Sequence, residues 1–255
     1  MIVAANWKMN PDLATASQLV SRYVAQDFGD DTAGGDSGGD AGVSRILFAP
    51  HPYLVPMGVR LKGSDVMLGG QDCHANPAGA HTGDVSAQML VECGAGYVLL
   101  GHSERRSDHG ESDALVNEKA QTAIATGLNV MICVGESDAQ RMQGDAIDVV
   151  TRQLDGSVPT DLGAATLVIA YEPVWAIGTG KVASLDEIAE MHSAIRKWAE
   201  GRGLDGVAIL YGGSVKPGNA ADIFAIPDVS GALVGGASLD AEQFAAICLS
   251  ASAAV

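Results

Sequence analysis

The stretch Leu167-Val168-Ile169-Ala170-Tyr171-Glu172-Pro173-Val174-Trp175-Ala176-Ile177-Gly178-Thr179-Gly180-Lys181, followed by Ser184–Glu200, contains the unit from which the fold is read. Its opening, Leu167–Ala170, is apolar without alternation, the pattern of a strand buried on both faces. Ser184 precedes Glu187 by three residues, the signature of a capping box at a helix start. Working outward, seven more short apolar runs recur: Ile2–Ala5, Ile46–Ala49, Val66–Leu68, Tyr97–Leu100, Val130–Val134, Val207–Leu210 and Ala232–Val234. Longer segments with helical patterning, such as Ser112–Thr126, lie between them. Strand alternating with helix eight times predicts a (β/α)8 barrel with parallel strands rather than an open sheet. A chain of 255 residues could be one barrel or two smaller domains. Such barrels run to about 250 residues as one unit, and a single domain over 1–255 is expected.

Composition narrows the function. An apolar fraction of 47% is ample for a large core, and no apolar run has the length a membrane span needs. With no cationic leader before a long apolar run, a soluble cytoplasmic protein is expected. Net charge is −16, from 31 acidic against 15 basic residues, which argues against nucleic acid as a partner. An anionic small substrate would need a locally positive site. Aspartate outnumbers glutamate 21 to 10 and lysine falls to 6, a bias that fits salt adaptation or compositional drift in a GC-rich genome equally well. Residues 30–42, reading DDTAGGDSGGDAG, carry nothing apolar larger than alanine and read as an exposed acidic, Gly-rich surface insert. Cys73, Cys93, Cys133 and Cys248 show no Cys-x-x-Cys spacing, so reduced thiols are expected, with no cofactor and no metal site.

In a barrel of this kind the active site lies at the C-terminal ends of the strands. Asn6-Trp7-Lys8 follows the first run, and Gly101-His102-Ser103-Glu104-Arg105-Arg106 the fourth. Tyr171-Glu172-Pro173 follows the sixth, Tyr211-Gly212-Gly213-Ser214 the seventh and Gly235-Gly236 the eighth. Polar groups from five strand ends would converge on one mouth, a coincidence far harder to obtain by accident than a lone histidine or glutamate.

The segments NWKMN, GHSERR, AYEPVWAIGTGK, YGGSV and LVGGASL resemble those of triosephosphate isomerases, in the same order and spacing from the first strand to the last. The resemblance implies a glycolytic and gluconeogenic isomerase that interconverts triose phosphates through an enediolate. That chemistry needs a base for a carbon-bound proton, an electrophile for the developing oxyanion, and a grip on phosphate. Glu172 would be the base. Its neighbours Pro173, Val174, Trp175 and Ile177 are apolar, and desolvation is expected to raise its basicity. His102, opening a helical segment, would donate as neutral imidazole. Lys8 would supply the cation, with Asn6 donating to substrate or positioning Lys8. Phosphate would meet backbone N–H groups at Gly178, Ser214, Gly235 and Gly236, where small residues let the backbone approach an anion.

Further roles are implied by the resemblance alone. Pro173–Ala183 would form a closing lid that excludes water and protects the enediolate, hydrogen-bonded when shut by Tyr211 and Ser214. Val182 departs from the threonine common in its hinge, which bears on closing rate and not on mechanism. Glu104 would orient Lys8. The loop 70–84 would build a homodimer, with Thr82 reaching the partner's Asn6 and Met9 in the pocket that receives the loop. His51, His74, His81, His109 and His192 are read as structural or surface residues. Two other readings compete. A sugar-phosphate epimerase or related phosphate-binding barrel would share the glycines but not Asn6, Lys8, His102 and Glu172 together. A non-catalytic barrel should have lost the base or the electrophile, and both are present.

Overall fold

The computed structural model describes residues 1–25, 42–177 and 181–254. Among these, eight parallel strands close into a barrel in chain order: β1 (Ile2–Asn6), β2 (Ser44–Ala49), β3 (Val66–Gly70), β4 (Tyr97–Leu100), β5 (Asn129–Val134), β6 (Leu167–Tyr171), β7 (Ala208–Tyr211) and β8 (Gly231–Val234). The register Ile2↔Gly231 through Ala5↔Val234 joins β1 to β8 and closes the ring. Around it run α1 (Leu13–Ala25), α2 (Leu54–Leu61), α3 (Ala87–Glu92), α4 (Ser103–His109), α5 (Asp113–Ala125), α6 (Asp138–Met142), α7 (Ala146–Ser157), α8 (Leu185–Glu200), α9 (Ala220–Phe224) and α10 (Ala241–Ser252).

The unbroken apolar runs have a direct cause: each strand buries both faces. Ile46, Phe48, Tyr97, Leu99, Met131, Cys133, Val168 and Ala170 pack together in one cluster. Their neighbours in sequence, Leu47, Ala49, Val98, Leu100, Ile132, Val134 and Ile169, belong to a second, larger cluster shared with the helices. Alternate residues therefore serve the barrel interior and the helix layer, as a closed sheet requires. The large Phe48 ring is accommodated because Gly69 lies opposite it on β3. A Cβ at Gly69 would fall 2.5 Å from that ring.

The capping box expected at Ser184 and Glu187 is formed and starts α8, while Ser112 caps α5. All eight expected runs are strands, with edges that differ by a residue or two. β7 starts at Ala208 rather than Val207, because its ladder to β6 runs from Val168↔Ala208 to Tyr171↔Tyr211. β1 extends through Asn6, paired with Phe48, so Asn6 is fixed by the sheet rather than carried on a loop. The expected insert at 30–42 lies outside the described residues except for Gly42. Among the described residues, no helix is long and apolar enough to cross a membrane.

Candidate active site

A cavity of about 550 Å³ opens where β1, β4, β6, β7 and β8 end. Asn6, Lys8, His102, Glu172, Ser214, Gly235 and Gly236 all line it, so the structure brings these sequence-derived candidates into one mouth. Gly178 lies outside the described residues.

Lys8 lies just past β1 and adopts a left-handed backbone, with φ of 53°. That conformation costs a non-glycine residue on the order of 1–3 kcal/mol and persists where surrounding bonds over-determine it. Two side chains do so here. Asn6 Oδ1 accepts the Lys8 backbone N–H at 3.0 Å, and Gln71 Nε2 donates to the Lys8 carbonyl at 2.9 Å and to the Phe48 carbonyl at 3.0 Å. The Lys8 ammonium donates to Glu104 Oε1 at 2.5 Å, the contact expected of Glu104.

His102 caps α4, and its Nδ1 accepts the backbone N–H of Glu104 at 3.2 Å. The ring proton is therefore assigned to Nε2, which lies 2.8 Å from Glu172 Oε1 and donates to it. Ser103 N–H donates to the other oxygen, Oε2, at 2.9 Å. Glu172 is only 2% exposed. Burial pushes its carboxyl up, but His102, the Ser103 N–H and Lys8 outweigh burial, and the net direction is below the ordinary glutamate value. The expectation that apolar surroundings raise its basicity is thus reversed in this conformation, because both carboxylate oxygens are engaged. A depressed folded-state value means that the carboxylate contributes stability above the unfolded-state value, and that this is lost as pH falls through the folded one.

Beyond β8, Gly235 leads into the short 3-10 helix Gly236–Leu239, whose opening N–H groups have no place in the helical ladder. Tyr23 anchors it by donating to the Ser238 carbonyl. After β7, a Cβ at Gly213 would fall 2.2 Å from the Tyr211 hydroxyl, so the chain passes directly over that ring. The hydroxyl itself is buried and has no partner among the described residues.

Three residues that hold this mouth lie outside the five strand ends from which the candidates were drawn. Gln71 comes directly after β3, and Glu136 lies two residues beyond β5. The fully buried Glu136 carboxylate accepts from Tyr171 at 3.1 Å, Trp175 Nε1 at 2.8 Å and Arg141 at 3.0 Å, tying β6 and the short turn Val174–Ala176 to β5. Gly135, between β5 and Glu136, abuts the backbone of Glu172. The signal for all three is their place just past the ends of β3 and β5, the same signal that marks the other mouth residues. Elsewhere, His74, His81 and Asp84 bring ligand-type atoms within 4.8 Å of one another. His74 Nδ1 accepts the Asn76 backbone N–H at 2.9 Å, which puts the ring proton on Nε2, facing Asp84 at 3.7 Å. That arrangement braces the loop and leaves no free His74 nitrogen for a metal.

A parallel eight-stranded barrel with a buried carboxylate against an imidazole, beside a lysine at its C-terminal mouth, defines a (β/α)8-barrel enzyme equipped for proton transfer. The family model described as triosephosphate isomerase matches residues 1–251, and the chain belongs to that family. Triosephosphate isomerase of Ruegeria pomeroyi is 50% identical over 250 residues, covering 96% of this chain and 95% of that protein. Its counterpart from Acidiphilium cryptum is 48% identical, covering 98% of each. The crystal structure of triosephosphate isomerase from Bartonella henselae superposes with a TM-score of 0.82 at 38% identity, over 97% of both chains.

Proposed function

We propose that this mouth carries out the isomerisation that family membership gives the chain, the interconversion of dihydroxyacetone phosphate and D-glyceraldehyde 3-phosphate. The observation that carries the assignment of roles is the direct contact between Glu172 and the Nε2–H of His102, in the same cavity as Lys8. Glu172 takes the proton from the carbon next to the carbonyl. The C–H electron pair forms the enediol double bond and the carbonyl pair moves onto oxygen. His102 donates Nε2–H to that oxygen and Lys8 offsets its charge. His102 passes its Nε2 proton to that oxygen and recovers one from the hydroxyl on the carbon first deprotonated. The pair on that hydroxyl oxygen re-forms a carbonyl, and the double-bond pair takes the proton back, at the neighbouring carbon, from Glu172. To act on carbon it must leave His102 and Ser103; once free of those bonds, burial again favours the protonated acid and makes the carboxylate a stronger base.

The phosphate is held at Ser214, Gly235, Gly236 and Gly178. The lid shuts over it, and the buried Tyr211 hydroxyl supplies a waiting hydrogen bond. The four unpaired thiols suit a cytoplasmic setting. Lys8→Met should leave the barrel folded, raise KM and lower kcat by about 10²-fold or more, the scale of losing one preorganised charge stabiliser. Steady-state kinetics beside a melting curve checks this, and near-wild-type constants would reduce Lys8 to a surface charge.

The enzyme acts as a homodimer through loop 70–84. Met9 is 94% exposed, and residues 76–80 and 82–84 are exposed in the single chain. An apolar side chain so exposed beside the mouth suits burial under a two-fold partner. Sedimentation at micromolar concentration should show a dimer. A monomer with full activity would contradict this.

A further inference from the structure

The geometry points to Lys216 as the residue that draws the substrate's phosphate dianion into this mouth, a role separate from that of Lys8. Among the described residues, the charged side chains lining the cavity are Lys8, Lys216, Glu104 and Glu172. Lys8 is committed at 2.5 Å to Glu104, and Glu172 is a carboxylate. His102 adds no cation, since Nδ1 accepts a backbone N–H. The two lysines therefore balance the two carboxylates, and without Lys216 the mouth would be net negative in a chain of net charge −16. A dianion approaching such a mouth would be repelled.

Lys216 is also the lining cation left uncommitted. It is exposed, and its ammonium has no hydrogen-bond or ion-pair partner among the described residues. Its backbone is fixed nonetheless. Lys216 N–H donates to Asn219 Oδ1 at 2.8 Å, and Asn219 Nδ2 donates to the Ser214 carbonyl at 3.0 Å. Asn219 thus clamps one turn that carries both Ser214 and Lys216. The charge is held two residues from a proposed phosphate contact, while its side chain stays free to meet the incoming dianion. Lys216 acts on encounter and binding, not on the proton transfer.

This proposal rests on reading the mouth as the triose phosphate site, and the experiment separates the two. Wild type, Lys216→Gln, Lys216→Arg and Lys62→Gln are assayed on D-glyceraldehyde 3-phosphate from about 10 mM to about 1 M KCl, where the Debye length falls from about 30 Å to about 3 Å. At low salt, Lys216→Gln should lose about four-fold in kcat/KM, the Boltzmann factor for one cation about 10 Å from a dianion in water. Its kcat should stay within about two-fold of wild type, and the deficit should close by about 1 M salt. Lys216→Arg should restore the rate. Lys62→Gln, the same charge change on an exposed residue at the end of α2, should match wild type. No deficit at low salt, a deficit that persists at high salt, a loss in kcat, or an equal loss in Lys62→Gln would each overturn the role. If wild type itself does not turn over the substrate, the site reading falls and this proposal with it.

Discussion

Glu172→Asp should lower kcat by about 10²-fold or more while the barrel stays folded. Removing one methylene retracts the carboxylate by about one carbon–carbon bond, and a misplacement of roughly 1 Å can cost about 10²-fold when the reacting atoms must meet in one geometry. The side chain is packed at 2% exposure, with His102 at 2.8 Å and the Ser103 N–H at 2.9 Å, so neighbours cannot simply follow it. Those contacts belong to the resting site, and their loss would cost some stability without opening the barrel. Turnover on D-glyceraldehyde 3-phosphate beside a circular dichroism melt separates the two effects. A folded variant with near-wild-type kcat would remove Glu172 as the base.

An effect of similar size is expected at Gly135, which touches no substrate. A Cβ built there lies 1.7 Å from the Glu172 carbonyl oxygen and 2.7 Å from its carbonyl carbon. Both are backbone atoms, so no rotamer change relieves the clash. Glu172 N–H is also bonded to the Val134 carbonyl at 2.8 Å, which locks the end of β6 to β5 just where the intruding methyl would push. In Gly135→Ala the strand end must move, carrying the base with it. We expect kcat to fall by about 10²-fold, together with an overpacking loss of about 1–3 kcal/mol. Gly206→Ala is the control, because a Cβ there meets nothing within 4 Å. Unchanged kcat in Gly135→Ala would show that the Glu172 backbone need not be held so closely.

The two substitutions mark what is legible in the sequence. The barrel is readable because burial on both faces leaves strands such as Ile46–Ala49 with no polar alternation, and because Ser184 and Glu187 announce a helix chemically. The convergence of Glu172, His102, Lys8 and Asn6 on one mouth is readable because a barrel brings its strand ends together there. The contacts that hold them are not. Gln71 lies 63 positions from Lys8, and nothing local in its sequence shows that its amide serves the Lys8 carbonyl. Glu136 follows a strand as Glu172 does, yet only the fold turns it toward Tyr171 and Trp175. The direction of the Glu172 shift is hidden for a related reason. Apolar neighbours in sequence signal burial, whereas the Ser103 N–H and the His102 ring that outweigh it arrive from the junction of β4 and α4, two strands away.

The central claim is that Glu172 moves a proton between adjacent carbons through an enediolate. Turnover of D-glyceraldehyde 3-phosphate in D2O, followed by proton NMR, tests it most directly. A carboxylate that holds the abstracted proton can exchange it with solvent before returning it. The account predicts deuterium at C1 of the dihydroxyacetone phosphate formed, and loss of both turnover and exchange in Glu172→Gln, whose amide cannot accept the proton. Complete retention of protium at that carbon would indicate direct hydride transfer, and undiminished exchange in Glu172→Gln would place the base elsewhere; either result would contradict the account.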